Sequence, residues 1–341
     1  MRIHARTAAL AATVSLATGL GAAATASAQG DVNIYSARHY QTDEQLYSEF
    51  TERTGIEINR IQGRSDALIQ RIESEGENTP ADILVTVDAG RLWRAEKEGI
   101  FASVDSDTLN ERIPENLRHP EGHYFGFSSR ARIIFYDKSR YDAPPVTTYE
   151  GLADDSLEGE VCIRSSSNVY NQSLLASLIE HHGEQKAQDW AAGVVENFAR
   201  EPEGGDTDQI MGVAAGECGV AVANHYYYVR LLENDPDAVK NVGHLFPNQD
   251  GRGSHVNISG AGVVANGPNQ QNAIRFLEFL SSDFAQRYFA QGNNEYPAVP
   301  EVAPNTKLQQ LGDFKIDDVN VAVYGENQPL AQKIFDRVGW K

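Results

Sequence analysis

The sequence lacks the short motifs that mark several large enzyme classes. It contains no G-x-x-x-x-G-K-[ST] phosphate loop, no G-x-S-x-G nucleophile turn and no H-E-x-x-H zinc-protease motif. Basic residues are scarce, with 29 lysines and arginines against 48 aspartates and glutamates and a formal charge of −19. A surface of this sign repels nucleic-acid backbones and anionic lipids, so we expect neither as a partner.

Long apolar runs are missing after the N-terminus. Residues 1–28 have a basic start (Arg2 and Arg6), an apolar stretch and an Ala-Ser-Ala sequence that ends at residue 28. This is the layout of a cleaved secretory signal. The stretch is rich in Ala, Thr, Ser and Gly, which makes it a poor membrane anchor. We therefore predict a mature chain that is free in the periplasm.

Cysteine is rare, and its two copies are Cys162 and Cys218. In an exported protein a lone pair that forms no C-x-x-C motif predicts a disulfide rather than a metal site or a nucleophile. Closing a loop of 56 residues would stabilise the fold by about 4 kcal/mol in the chain-entropy model.

Short apolar runs alternate with amphipathic runs from residue 32 onward, which is typical of an α/β protein. The predicted strands, in chain order, are 32–37, 56–61, 81–87, 132–136, 161–164 and 219–223. The length suggests two lobes, at roughly 150 residues per domain. Two stretches, 124–132 and 255–264, are candidates for carrying the chain between the lobes, and a chain that crosses twice forms a hinge.

Two histidine pairs are candidates for metal ligands. His119 and His123 stand four residues apart, but Pro120 and Gly122 between them argue against the helix that would align them. The pair at residues 181 and 182 ends a predicted helix, where cations suit the helix dipole. We interpret both pairs as structural.

Four tyrosines stand where a predicted strand meets a helix. Tyr40 follows the first strand, Tyr170 follows the fifth, and Tyr226 and Tyr227 follow the sixth. Open α/β sheets bind ligands at this edge, where helix N-termini carry partial positive charge. Since neighbours in a strand point to opposite faces, Tyr226 and Tyr227 can reach one ligand only from a turn or a first helical turn.

Phenolate oxygen is a hard, anionic donor that suits Fe³⁺. Ionising one phenol at pH 7 costs about 4 kcal/mol, so four phenolates require a highly charged cation. Four phenolates also leave one excess negative charge for an arginine to balance, and His39 could complete five-coordination. The competing interpretation is that the tyrosines at 226–228 pack a helix onto the sheet.

Three segments resemble the ligand segments of periplasmic ferric-iron-binding proteins of the FbpA, FutA and IdiA type. They are Arg38-His39-Tyr40, Ser165-Ser166-Ser167-Asn168-Val169-Tyr170-Asn171-Gln172-Ser173 and Asn224-His225-Tyr226-Tyr227-Tyr228. The strand at 81–88 and the residues that follow it are also similar, and the similarity covers essentially the whole mature chain. The resemblance implies a type II periplasmic-binding-protein clamshell of two α/β lobes, with mostly parallel sheets and hinge crossovers. The expected lobes are 31–126 plus 256–309 and 127–255 plus 310–341.

The resemblance also implies roles for single residues. Tyr40 would come from the N-terminal lobe, with His39 as a further ligand, and Tyr170, Tyr226 and Tyr227 from the other lobe. Two arginines, Arg130 and Arg230, would balance charge or hold an anion such as carbonate, and water is the alternative for the last coordination position. Asp88 is expected to cap a helix rather than to bind metal.

The function implied is capture of Fe³⁺ by a monomer and its delivery to the membrane permease of an ABC importer, with no enzyme activity. One alternative is a binding protein for an organic or anionic solute, in which the two arginines anchor the solute and the tyrosines stack on it. The other is an exported tyrosinate-iron enzyme. A shell filled by protein ligands leaves little room for a substrate, which argues against the enzyme.

Overall fold

In the computed structural model, residues 30–38 and 43–341 are described. This part of the chain forms nine strands and twelve α-helices. The strands are β1 (Val32–Ser36), β2 (Ile58–Gln62), β3 (Ile83–Val87), β4 (Phe125–Asp137), β5 (Val161–Cys162), β6 (Val220–Asn224), β7 (Val242–Leu245), β8 (Val256–Val263) and β9 (Tyr296–Pro297). The helices are α1 (Asp43–Thr54), α2 (Ser65–Glu75), α3 (Ala89–Lys97), α4 (Asp107–Arg112), α5 (Val169–His182), α6 (Glu184–Glu196), α7 (Asp206–Ala214), α8 (His225–Asn234), α9 (Gln270–Leu280), α10 (Asp283–Asn293), α11 (Thr306–Gln310) and α12 (Ala322–Val338).

The first three strands form a parallel unit in which β1 lies between β2 and β3. Helix α1 buries Leu46 and Phe50, whose spacing of four places them on one helix face. Gly55 ends this helix at a φ of 72°, in the left-handed region that favours glycine, and its amide donates to the Thr51 carbonyl. The predicted strands of this part of the chain, 32–37, 56–61 and 81–87, are confirmed to within two residues.

Strands β4 and β8 lie side by side at the centre and are antiparallel. The first half of β4 pairs with β8 and β9, and its second half pairs with β6 and β7. The two stretches that were predicted to carry the chain between the lobes lie in these two long strands, which join the half of the sheet around β1 to the half around β6. The proposed residue bounds of the two lobes remain a prediction.

The sheet is mixed, which corrects the expectation of mostly parallel sheets. Among the described residues, three strand pairs are parallel and five are antiparallel. Every antiparallel pair includes β4 or β8. The physical reason is that β4 and β8 carry the chain between the two halves in opposite directions. They are therefore antiparallel to each other and to the strands beside them.

The second half of the sheet contains the disulfide. Cys162 lies in β5, Cys218 lies two residues before β6, and their Cα atoms are 5.8 Å apart. This confirms the predicted bridge. Strand β5 ends two residues earlier than predicted, because the Asn171 side-chain amide donates to the Arg164 and Ser165 carbonyls and holds that segment away from the sheet.

The C-terminal helix α12 packs against α5 and α6, and also against α3. Contact with α3 is close, since a Cβ on Gly325 would overlap the Trp93 side chain. In residues 30–38 and 43–341, no helix has the length and apolar character needed to cross a bilayer. The predicted secretory signal at 1–28 lies outside the described residues.

Candidate metal centre

Two tyrosines lie in the first turn of α8. The helix begins at His225, directly after β6, so Tyr226 and Tyr227 are helical and not extended. Their ring centroids are 4.3 Å apart with an interplanar angle of 31°. Tyr226 is 2% exposed and Tyr227 is half-buried. The first helical turn is the geometry that lets neighbouring residues face the same ligand.

Tyr170 occupies the matching position on α5, as the second residue of that helix. The Asn168 side chain caps the helix by accepting from the Asn171 amide at 3.3 Å. Three guanidinium carbons lie near the half-buried Tyr170 ring. They are those of Arg130, Arg132 and Arg164, at 5.4, 5.9 and 5.8 Å from its centroid.

Arg130 connects the two tyrosine helices electrostatically. It is 2% exposed and donates to the Ser259 hydroxyl at 2.8 Å and to the Ile258 carbonyl at 2.7 Å. Burial by itself lowers the pKa of Arg130, but Tyr170 and Tyr226, with two nearby carboxylates, raise it overall. Its Nε is buried and has no hydrogen-bond partner among the described residues. A buried donor of this kind is available to an anionic ligand.

Arg132 and Arg164 were missed by the sequence analysis. Both pair with the fully buried Asp206, at 3.2 and 3.4 Å, and Arg132 also donates to the Asn171 side chain at 2.6 Å. The signal for Arg132 was available, since it lies two residues after Arg130 on a strand and therefore on the same face. Arg164 could not be identified in this way, because the chain leaves the sheet before it.

Arg230 lies one turn after Tyr226 on α8. Its guanidinium carbon is 5.0 Å from the Tyr226 ring centroid and 5.9 Å from that of Tyr227.

The next tyrosine, Tyr228, is buried on another side, where its hydroxyl donates to the Val242 carbonyl at 3.1 Å. Tyr228 is therefore a packing residue, which is the interpretation that the sequence analysis left open for this run.

Asp88 caps α3, as predicted, and also reaches the tyrosine helix α5. Its Oδ1 accepts from the Gly90 amide at 2.9 Å and from the Ser173 hydroxyl at 2.8 Å, and its Oδ2 accepts from the Asn257 side chain at 2.9 Å. Burial raises the pKa of Asp88, and the positive charge of Arg130 opposes this. Its φ of 79° is strained for a non-glycine residue. Asp88 therefore holds α3 and α5 together beside the tyrosines.

The predicted ligands His39 and Tyr40 lie outside the described residues. The residues on either side of them are bound to each other, since Nε of Arg38 donates to Asp43 at 3.1 Å. Arg38 also pairs with Glu295 at 3.0 Å, and Glu295 lies 3.7 Å from Arg130. The chain on both sides of Tyr40 is thus anchored to the charge network that includes Arg130.

Comparison with known proteins gives a consistent result. A family model for bacterial extracellular solute-binding proteins matches residues 78–316. Iron uptake protein A1 of Synechocystis sp. is 50% identical over 317 residues, which are 92% of this chain and 88% of that protein.

Two solved structures are also similar. One is Trichodesmium IdiA (FutA) in complex with iron and citrate ligands, with 54% identity, coverage of 92% and 100%, and a TM-score of 0.89. The other is the ferric binding protein of Campylobacter jejuni, with 40% identity, coverage of 91% and 100%, and a TM-score of 0.83. These neighbours confirm the predicted type II clamshell. The relatives are binding proteins and not enzymes, which agrees with the prediction of no enzyme activity. The chain therefore belongs to the bacterial extracellular solute-binding proteins, in the group that contains the FutA and ferric-binding proteins.

Proposed function

We propose that this protein captures Fe³⁺ in the periplasm and delivers it to the membrane permease of an ABC importer. The ligands would be the phenolates of Tyr170, Tyr226, Tyr227 and Tyr40, with His39 as a fifth donor. The observation that carries the proposal is that tyrosines from the first turns of two helices gather around one buried guanidinium, that of Arg130. Its relatives with 40 to 54% identity are named for iron or were solved with it.

Charge balance favours a trivalent cation. Four phenolates around Fe³⁺ leave one excess negative charge, and Arg130 offers one buried positive charge beside them. A divalent ion would leave two excess charges in a largely buried place, at a higher electrostatic cost. Protons compete with metal for every phenolate, so iron binding should weaken as pH falls. Reduction to Fe²⁺ would also weaken it, because Fe²⁺ is less charged and less hard.

An anion or a water molecule would complete the coordination. The unpartnered Nε of Arg130 could donate to an anion such as carbonate, and the Trichodesmium relative was solved in complex with iron and citrate ligands. We propose that Arg230 supports the same position from the rim of the site. An anion held in this way would also help to balance charge during binding.

Capture would proceed by closure about the two central strands, β4 and β8. The three tyrosines on α5 and α8 would bind first, and Tyr40 would complete the shell when the halves meet. We propose that the chain is exported, cleaved after residue 28 and active as a monomer.

The experiment is a visible-absorption titration of the mature, iron-free protein with ferric ion. We expect phenolate-to-iron charge-transfer colour that saturates at one equivalent. The variant Tyr226→Phe/Tyr227→Phe should stay colourless, and the control Tyr228→Phe, which changes the next tyrosine of the same helix, should keep the colour. A colourless wild-type titration, or equal affinity in the double variant, would reject the proposal. Calorimetry with an organic-solute panel tests the alternative cargo.

A further inference from the structure

A second group of potential ligands lies where α3 ends beside the turn that leads into β4. Glu96, His119 and His123, which we call the Glu96 cluster, offer ligand atoms that all lie within 4.8 Å of one another. The two imidazole rings stack with centroids 4.6 Å apart and an interplanar angle of 18°. In residues 30–38 and 43–341, this is the one group of three histidine, cysteine or acidic side chains so closely placed.

A turn, and not a helix, brings the two histidines together. The His119 amide donates to the Tyr124 carbonyl at 2.9 Å, and the Gly122 amide donates back to the His119 carbonyl at 3.0 Å. Gly122 has a φ of 72°, and a Cβ there would clash with the Val104 carbonyl oxygen. The same Pro120 and Gly122 that excluded a helix are the residues that suit this turn.

The polar atoms of the cluster are incompletely used. Nδ1 of His123 is buried, lies 3.6 Å from the Glu96 carboxylate, and has no hydrogen-bond partner among the described residues. Nδ1 of His119 accepts from the Glu121 amide at 3.1 Å, and the Lys97 ammonium lies 3.1 Å from the other Glu96 oxygen. A cation bound to Glu96 would therefore displace the exposed ammonium of Lys97. If it bound through Nδ1 of His119, it would also replace the hydrogen bond from the Glu121 amide.

We propose that the Glu96 cluster binds a divalent transition-metal ion, with Zn²⁺ as the reference ion. Two neutral imidazoles and a carboxylate match the preference of Zn²⁺, whereas Fe³⁺ prefers the anionic oxygens of the tyrosine site. Tetrahedral bonds of about 2 Å place donors about 3.3 Å apart, so the side chains need to draw in by roughly 1.5 Å at most. Three protein donors leave the fourth position to water.

This site is separate from the proposed iron site. Glu96 lies eight residues after Asp88, which is about 12 Å along α3. An ion there would tie the end of α3 to the turn before β4 and would not compete for the phenolates. The inference is therefore independent of the proposed iron function.

The test is calorimetric titration of the mature chain with ZnCl₂. Wild type is expected to bind one equivalent, and His119→Gln/His123→Gln to bind at least about 100-fold more weakly, since even the loss of a ligand's supporting partner costs 10- to 100-fold. Glu96→Gln, which keeps the side-chain size, should also weaken binding. His181→Gln/His182→Gln is the matched control and should bind as wild type does.

Tyr226→Phe/Tyr227→Phe should keep the zinc equivalent, which separates this test from the iron proposal. Iron colour and circular dichroism verify that the histidine variants are folded. The inference is overturned by a wild type that binds no zinc, by unchanged affinity in both Glu96-cluster variants, or by zinc loss in the tyrosine variant.

Discussion

The helices α5 and α8 both follow a strand and both present tyrosine in their first turn, but their surroundings differ. Tyr170 on α5 lies beside three guanidinium groups, and two buried carboxylates, those of Asp206 and Glu295, offset part of their charge. The rings of Tyr226 and Tyr227 on α8 lie next to each other, tilted by 31°, beside Arg230. Guanidinium groups are thus concentrated around the Tyr170 ring. Two negative charges on α8 repel each other until a cation joins them, so α8 is the half of the site that depends more on the metal.

The largest expected effect is on iron binding by α8. Each lost phenolate should weaken binding at least about 100-fold, so Tyr226→Phe/Tyr227→Phe should lose about 10,000-fold and Tyr170→Phe about 100-fold. Iron at about 1,000 times its Kd stabilises a protein by about 4 kcal/mol. Thermal unfolding with and without iron should therefore show this gain in wild type, a reduced gain in Tyr170→Phe and none in the double variant. An equal gain in all three would remove the difference between the helices.

The disulfide links β5, which precedes α5, to a residue just before β6, which precedes α8. Cys162→Ala/Cys218→Ala should lower the free energy of unfolding by about 4 kcal/mol, because the unfolded chain gains loop entropy. Urea unfolding measures this. The folded variant should still bind one equivalent of iron, and a loss of iron at low urea would mean that the bridge positions the tyrosines as well as stabilising the fold.

The arginines sharpen the same comparison. Arg130 is buried and interacts electrostatically with Tyr170 and Tyr226, so Arg130→Gln should weaken iron binding by about 2 kcal/mol, or roughly 30-fold. Arg230 is half-exposed and solvent screens it, so Arg230→Gln should cost no more than about fivefold. Competition of each variant against a chelator measures both. Equal losses of iron affinity in the two variants would show that the buried charge of Arg130 stabilises bound iron no more than the half-exposed charge of Arg230 does.

The smallest effect concerns the far end of α5, which is held by carboxylates. His181 and His182 contact Asp317 and Glu150 at 2.7 Å each. Burial tends to raise the pKa of Glu150, but hydrogen bonds from Asn248, His182 and the Arg252 guanidinium lower it from 4.5 to about 2. A lowered pKa stabilises the fold above the unfolded value, and this stabilisation is lost as pH falls through the folded value.

Glu150→Gln should therefore be less stable than wild type at pH 6. The difference should shrink as pH falls from 4.5 towards 2, because the wild-type carboxylate becomes protonated. Urea unfolding of both proteins across that range measures the effect, with Glu158→Gln as an exposed control. A difference that is constant with pH would show that the ion pairs of Glu150 are unimportant for stability.

Local sequence patterns predicted much of this fold. The alternation of apolar runs located all six predicted strands, and the lone cysteine pair predicted the bridge between Cys162 and Cys218. The same alternation of apolar runs correctly predicted that Tyr170 and Tyr226 lie where a strand meets a helix. These features depend on contacts within a few residues, or on the cysteine chemistry of an exported chain, so they can be read without coordinates.

Other features depended on residues far apart in the chain. The antiparallel course of β4 and β8, the start of α8 at His225 and the approach of Arg164 to Tyr170 are set by strand pairing and packing across the molecule. The contact between His119 and His123 came from a turn, whereas the sequence had argued only against a helix that would align them. The sequence by itself determined which donors stand at the strand ends and which elements carry them. Only the tertiary structure decided which donors meet, because burial and charge at the site are sums over neighbours that the chain brings together when it folds.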